Sequence, residues 1–93
     1  MERYEHLIKR MWAELHDAKD YVKAAMSCKD HAYVDTMMEL ARQEYSHFSA
    51  LHALTEKMTS AWEKDDVMHV VWQHDRERLV EHAARVKMMM ESR

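Results

Sequence analysis

The chain has 93 residues, a formal net charge of -3, one cysteine, and neither glycine nor proline. Its interspersed charges exclude a basic stripe for nucleic-acid phosphates, and its single cysteine excludes an internal disulfide framework. No segment approaches the ~20 apolar residues that span a bilayer, and the N-terminal residues lack the apolar region of a secretory signal. We therefore expect one domain over residues 1–93, with no membrane segment, in the reducing cytoplasm.

The first segment, from about Glu2 to Met26, has the apolar recurrence of an amphipathic helix. Its apolar positions are Tyr4, Leu7, Ile8, Met11, Leu15, Ala18, Val22 and Ala25. The interruption at 27–30 is short, and Asp30 is suited to accept from free backbone N–H groups as an N-cap. This short connection predicts that the first two helices are antiparallel neighbours.

The second helix carries a broad apolar face and is expected to end near Thr59. That face consists of Val34, Met37, Met38, Leu40, Ala41, Phe48, Leu51, Leu54 and Met58. Since the chain lacks the residues that most often interrupt helices, the pattern predicts an all-α fold.

The sequence allows two positions at which the third helix could begin. Ser60 and Glu63 have the spacing of a capping box, whereas Asp65 or Asp66 would suit a later start. The helix should run to about Met90, with an apolar stripe formed by Met68, Trp72, Leu79, Ala83, Val86 and Met90. An acid, Asp75, falls within the same stripe. The prediction is a domain of three helices.

Glu44 and His47 form a Glu-x-x-His sequence, which places both side chains on one helical face. Such a spacing occurs by chance about once in a chain this rich in Glu and His, so its position must supply the significance. Glu44 lies in register with Met37, Ala41 and Phe48. It is therefore expected to point into the bundle, where an unpaired carboxylate is costly.

Glu14 is the corresponding inward acid of the first helix. Glu14 and Glu44 are equidistant from Lys29 in the turn, and equal helical rise places them at one height in the hairpin. Together with His47 they form a ligand set suited to iron, manganese or zinc, with oxygen-rich geometry favouring iron or manganese. Three ligands are half of a dinuclear site, and a two-fold related copy would supply the other half. The sequence thus predicts a homodimer or a larger homo-oligomer.

The stretch from about Glu14 to Leu54 resembles the helical hairpin of the ferritin-like superfamily, most closely the half-ferritin type known as encapsulated ferritins. The resemblance rests on Glu14, the Glu44–His47 motif, Tyr21 and the turn at 28–30. It implies a four-helix bundle core formed by dimerisation. It also implies that Glu14, Glu44 and His47 bind iron between two subunits, with ferroxidase activity.

Two features depart from that family. It places further acids immediately before and just after the first-helix Glu, whereas this chain has Ala13 and His16. No encapsulin-targeting tail is visible either, so association with such a shell is not expected.

Helix three offers two further candidate ligands. Asp75 would lie level with Glu44 if the second turn is near Thr59, and His82 would do so if the turn is nearer Glu63. Either residue is a candidate metal ligand or a partner of one. The simpler alternatives are that Asp75 pairs with Arg78 on the surface and that His82 is a surface histidine.

The competing hypothesis for the whole chain is a metal-free interaction or scaffold module. In that case Glu14, Glu44 and His47 form a hydrogen-bonded polar cluster that fixes helix register. A face rich in methionine and tryptophan would then bind a partner helix. Exposed apolar surface without bound metal would favour this alternative.

Overall fold

A computed structural model describes residues 2–64 and 66–92. These residues form three α-helices, α1 (Glu2–Met26), α2 (His31–Ser60) and α3 (Val67–Glu91), and no strand. The all-α prediction is confirmed. None of the three described helices combines the length with the apolar composition that a bilayer crossing requires.

The helix ends follow local capping. Asp30 precedes α2 in extended conformation and accepts a hydrogen bond from the backbone N–H of Tyr33, as its predicted N-cap role requires. Asp66 caps α3 in the same way, accepting from the N–H of Met68 at 2.8 Å. Ser60 instead closes α2 and donates to the carbonyl of Lys57, so the alternative start at Ser60 is wrong. Asp65, the other candidate, lies outside the described residues.

Helices α1 and α2 form an antiparallel hairpin with the most extensive interface of the fold. Near the turn, Val22 and Ala25 from the end of α1 pack with Met38 and Ala41 from the start of α2. A larger buried cluster lies toward the open end of the hairpin and contains Tyr4, Leu7, Met11, Leu15, Phe48, Trp72, Leu79 and Ala83. Apolar packing therefore holds the hairpin on both sides of its midpoint.

Helix α3 runs parallel to α1 and packs mainly against it. Tyr4 contacts Trp72 near the start of both helices, and Trp12 contacts His82 further along. The resulting molecule is a rod of 52 × 19 × 15 Å. In so narrow a rod, α3 is held by one stripe of buried side chains.

The packing of α3 against the hairpin can be tested at Leu79, which is fully buried, whereas its neighbour Val80 is exposed. We expect Leu79→Ala to lower the free energy of unfolding by about 2–5 kcal/mol, through lost burial and the cavity left behind. Val80→Ala should change it by less than about 1 kcal/mol. Urea unfolding followed by circular dichroism measures both, and equal effects would contradict the described packing of α3.

Candidate metal centre

The hairpin brings Glu14, Glu44 and His47 together near its midpoint. One ligand atom from each of the three side chains lies within 4.8 Å of the other two. Glu44 and His47 share a face because three residues of α2 turn through nearly one full helical turn. Glu14 meets them because α1 and α2 are antiparallel and the turn lies midway between the two acids.

The cluster extends from the helix interface to the surface. His47 Nδ1 lies 3.5 Å from Glu14 Oε2 and 3.8 Å from Glu44 Oε1. The Glu14 side chain is 4% exposed, that of Glu44 21% and that of His47 60%. An ion could therefore reach the buried carboxylate from solvent past the imidazole.

The two carboxyl groups face each other, with one oxygen of each within 4.8 Å of the other, and a hydrogen bond between them links their ionisation. Burial opposes ionisation of Glu14, but the bond from Glu44 and the charges of Arg10 and His47 together lower the pKa of Glu14. The same bond, followed by burial and the charge of Glu14, raises the pKa of Glu44 to about 7. Without metal, one acid of the pair is ionised and the other retains a proton close to neutral pH.

Arg10 is a fourth member of this cluster that sequence reasoning missed. Its Nη2 donates to Glu14 Oε1 from one helical turn earlier. The available signal was the i,i+4 spacing of an arginine and an inward acid on the same helix. The buried Glu14 carboxylate thus has a charged partner on its own helix in addition to His47 of the facing helix.

Asp75 does not join the cluster. It accepts a hydrogen bond of 2.5 Å from the hydroxyl of Tyr4, which lies about 15 Å along α1 from Glu14 by helical rise. Burial and this bond raise the pKa of Tyr4. Pairing of Asp75 with Arg78 is also wrong, because the Arg78 guanidinium lies 5.8 Å from the centroid of the Trp12 ring.

His82 is also placed away from the cluster. Its ring lies 5.4 Å from that of Trp12 and 5.5 Å from that of His16, measured between centroids. Those α1 positions are about 200° around the helix from Glu14. His82 is half-buried rather than a surface residue, and burial lowers its pKa.

The donor set of the cluster fits a divalent cation. Carboxylate oxygens and an imidazole nitrogen suit iron, manganese or zinc. The two adjacent carboxylates repel each other when both are ionised, and a bound divalent cation would neutralise that repulsion. Three protein ligands leave open positions on a six-coordinate ion, to be filled by water or by another chain.

Comparisons with protein-family models, with curated proteins and with solved structures found no match to this chain. The resemblance to the ferritin-like hairpin therefore rests on the residues of the chain itself. Those are Glu14, Glu44, His47, Tyr21 and the turn at 28–30.

The raised pKa of Glu44 predicts a pH dependence of metal-free stability. A folded-state pKa of about 7, above the ordinary 4.5, gives stability that is complete below pH 4.5 and lost as pH rises to 7. The lowered pKa of Glu14 acts in the opposite sense but at lower pH. Wild type should therefore lose about 1–3 kcal/mol more than Glu44→Gln between pH 5 and pH 7.5.

Urea unfolding in the presence of a chelator measures this difference. Glu39→Gln is the matched control, because Glu39 is an exposed acid on the same helix. Its pH dependence should resemble that of wild type. An unchanged pH slope in Glu44→Gln would show that Glu44 does not share a proton with Glu14.

Proposed function

We propose that the chain is a ferritin-like iron-binding protein with ferroxidase activity, whose site is shared between two subunits. Glu14, Glu44 and His47 are the proposed ligands, with manganese and zinc as alternative metals. The observation that supports this function is the convergence of two carboxyl groups and an imidazole, from two helices, within 4.8 Å. The proposed setting is the reducing cytoplasm, where Fe(II) persists.

The charge of the cluster supports a metal over a purely structural polar contact. The hydrogen bond with Glu14, burial and the charge of Glu14 raise the pKa of Glu44 to about 7, and Asp17 adds further negative potential. A divalent cation would replace the proton of Glu44 and satisfy both carboxylates at once. Binding should consequently tighten as pH rises through 7.

The surface around the cluster supports a second copy as the missing half of the site. Glu44 and His47 lie in a seam of α2 whose members are Leu40, Glu44, His47, Leu51 and Leu54. The spacing of four, three, four and three residues is that of a helix-pairing seam. Leu54 is exposed in the single chain. A two-fold axis across this seam would bring together six ligands.

In this proposal Fe(II) is the substrate, and it transfers one electron to dioxygen or peroxide to become Fe(III). The buried Glu14 and its neighbour Glu44 would favour the more highly charged product by electrostatic attraction. His47 would supply the nitrogen ligand at the exposed side, where iron enters. Iron detoxification or storage would follow from this chemistry.

The metal-free interaction module remains the second candidate, and one observation favours it. The first turns of α3 expose three valines, Val67, Val70 and Val71. Such a patch is typical of a surface that contacts another protein. The two candidates differ in whether Glu44 is needed for metal content.

Iron loading tests the proposed function. After anaerobic addition of Fe(II) and desalting, we expect about one iron per chain on a dimer or larger assembly, by analogy with two-metal bundles. Glu44→Gln should lose most of this iron, whereas the exposed control Glu39→Gln should keep it. Elemental analysis with light scattering measures both quantities. Metal-free wild-type protein, especially as a monomer, would support the interaction module instead.

The shared site is tested by Leu54→Glu. A charge at the apolar end of the seam, beside Leu51, should convert the dimer to a monomer, because burying it across the interface is costly. Iron content should fall in parallel, although Leu54 is not a ligand. Val70→Glu is the control, since Val70 is an exposed apolar residue outside the seam. A monomer that keeps full iron would refute the shared site.

A further inference from the structure

Arg10 is hydrogen-bonded to a carboxylate oxygen that a metal ion would need as a ligand. Its guanidinium donates to Oε1 of Glu14, while His47 approaches Oε2 of the same carboxylate. Both oxygens of the most buried ligand thus have intramolecular partners. A cation that binds there must displace Arg10 or share the carboxylate with it, and two cations sharing one carboxylate repel each other.

Arg10 can leave without disturbing the core. Its side chain is 52% exposed, whereas that of Glu14 is 4% exposed. Arginine carries its charge on a long flexible stem, so the guanidinium can move into water while the stem stays on the helix surface. Only the Arg10 end of this pair is exposed, so the guanidinium can leave at low cost only when another cation replaces it beside the buried Glu14 carboxylate.

We propose that Arg10 is a displaceable counter-ion of the metal site. In the metal-free chain its guanidinium is hydrogen-bonded to Oε1 of Glu14 and holds that carboxylate in place. When metal binds, the guanidinium moves to solvent and the ion takes over the Glu14 charge. Arg10 thereby weakens the affinity of the site, so that low concentrations of metal leave it empty. This inference rests on the proposed function, because it concerns the same three ligands.

Arg10→Gln tests the displacement directly. The variant removes the competing charge, so the affinity for Fe(II) under anaerobic conditions, and for Zn(II), should rise about threefold or more. Arg42→Gln is the matched control. Arg42 is 55% exposed, pairs with Glu39 on the same hairpin, and loses the same charge when replaced. Its affinity should change by less than about twofold. Calorimetry measures all three proteins.

Nitrogen-15 spectroscopy of the arginine side chains provides a readout that does not depend on affinity. On titration of wild type with Zn(II), the Arg10 Nε–Hε signal should shift and sharpen toward that of a free guanidinium. The Arg42 signal should stay in place. An Arg10 signal that is unaffected by bound Zn(II) would overturn the displacement.

The outcomes separate this inference from the proposed function. If wild type binds metal and Arg10→Gln binds with the same or weaker affinity, only the role of Arg10 is refuted. If wild type binds none and Arg10→Gln does, Arg10 blocks the site and the iron function of the natural chain is refuted. If neither protein binds metal, both proposals are overturned.

Discussion

The carboxylate of Glu14 is buried in the interface of the hairpin, and that burial constrains the rest of the structure. A buried charge is tolerated only with partners, and removing one partner is far more costly than the pair is worth. Here the partners are Glu44 and His47 from the facing helix and Arg10 from the same helix. A slip of α2 by one turn would leave the acid facing apolar side chains. The observed register of α1 against α2 is thus one that gives this buried acid its partners.

The turn and the two apolar clusters also hold α1 and α2 in this register. Asp30 sets the first residue of α2, and the helical rise then sets the height of Glu44. On the turn side, Ala25 and Ala41 are small enough for the helices to approach closely. On the other side, Leu15 and Phe48 belong to the larger cluster. A polar site enclosed between two packed apolar regions has little freedom to change its geometry.

The sequence predicted the helices and the cluster of Glu14, Glu44 and His47, because both depend on residue spacing within one helix or two neighbouring helices. Apolar periodicity fixes which side of α1 and α2 is inward, and distance from a short turn fixes which residues are level. The position of α3 depends on its rotation and on whether it packs on α1 or α2, which periodicity does not determine. For this reason the sequence did not predict that Asp75 accepts a hydrogen bond from Tyr4 or that His82 packs beside Trp12. The contact between Arg10 and Glu14 depends on the rotamer of the arginine side chain, which sequence periodicity does not determine.

The dimensions of the rod explain why a second chain is central to the proposed site. In a rod with a cross-section of 19 × 15 Å, the cluster lies at the α1–α2 interface near the surface and brings together three candidate ligands from one chain. His47 is exposed because, at this height, α3 packs on the face of α1 that carries Trp12 and His16, about 200° around the helix from Glu14, and does not cover the cluster. In the proposed dimer, exclusion of water, which strengthens electrostatic binding, would come from the second copy. The seam of α2, in which leucines stand on both sides of Glu44 and His47, is the surface through which that copy would cover the ligands.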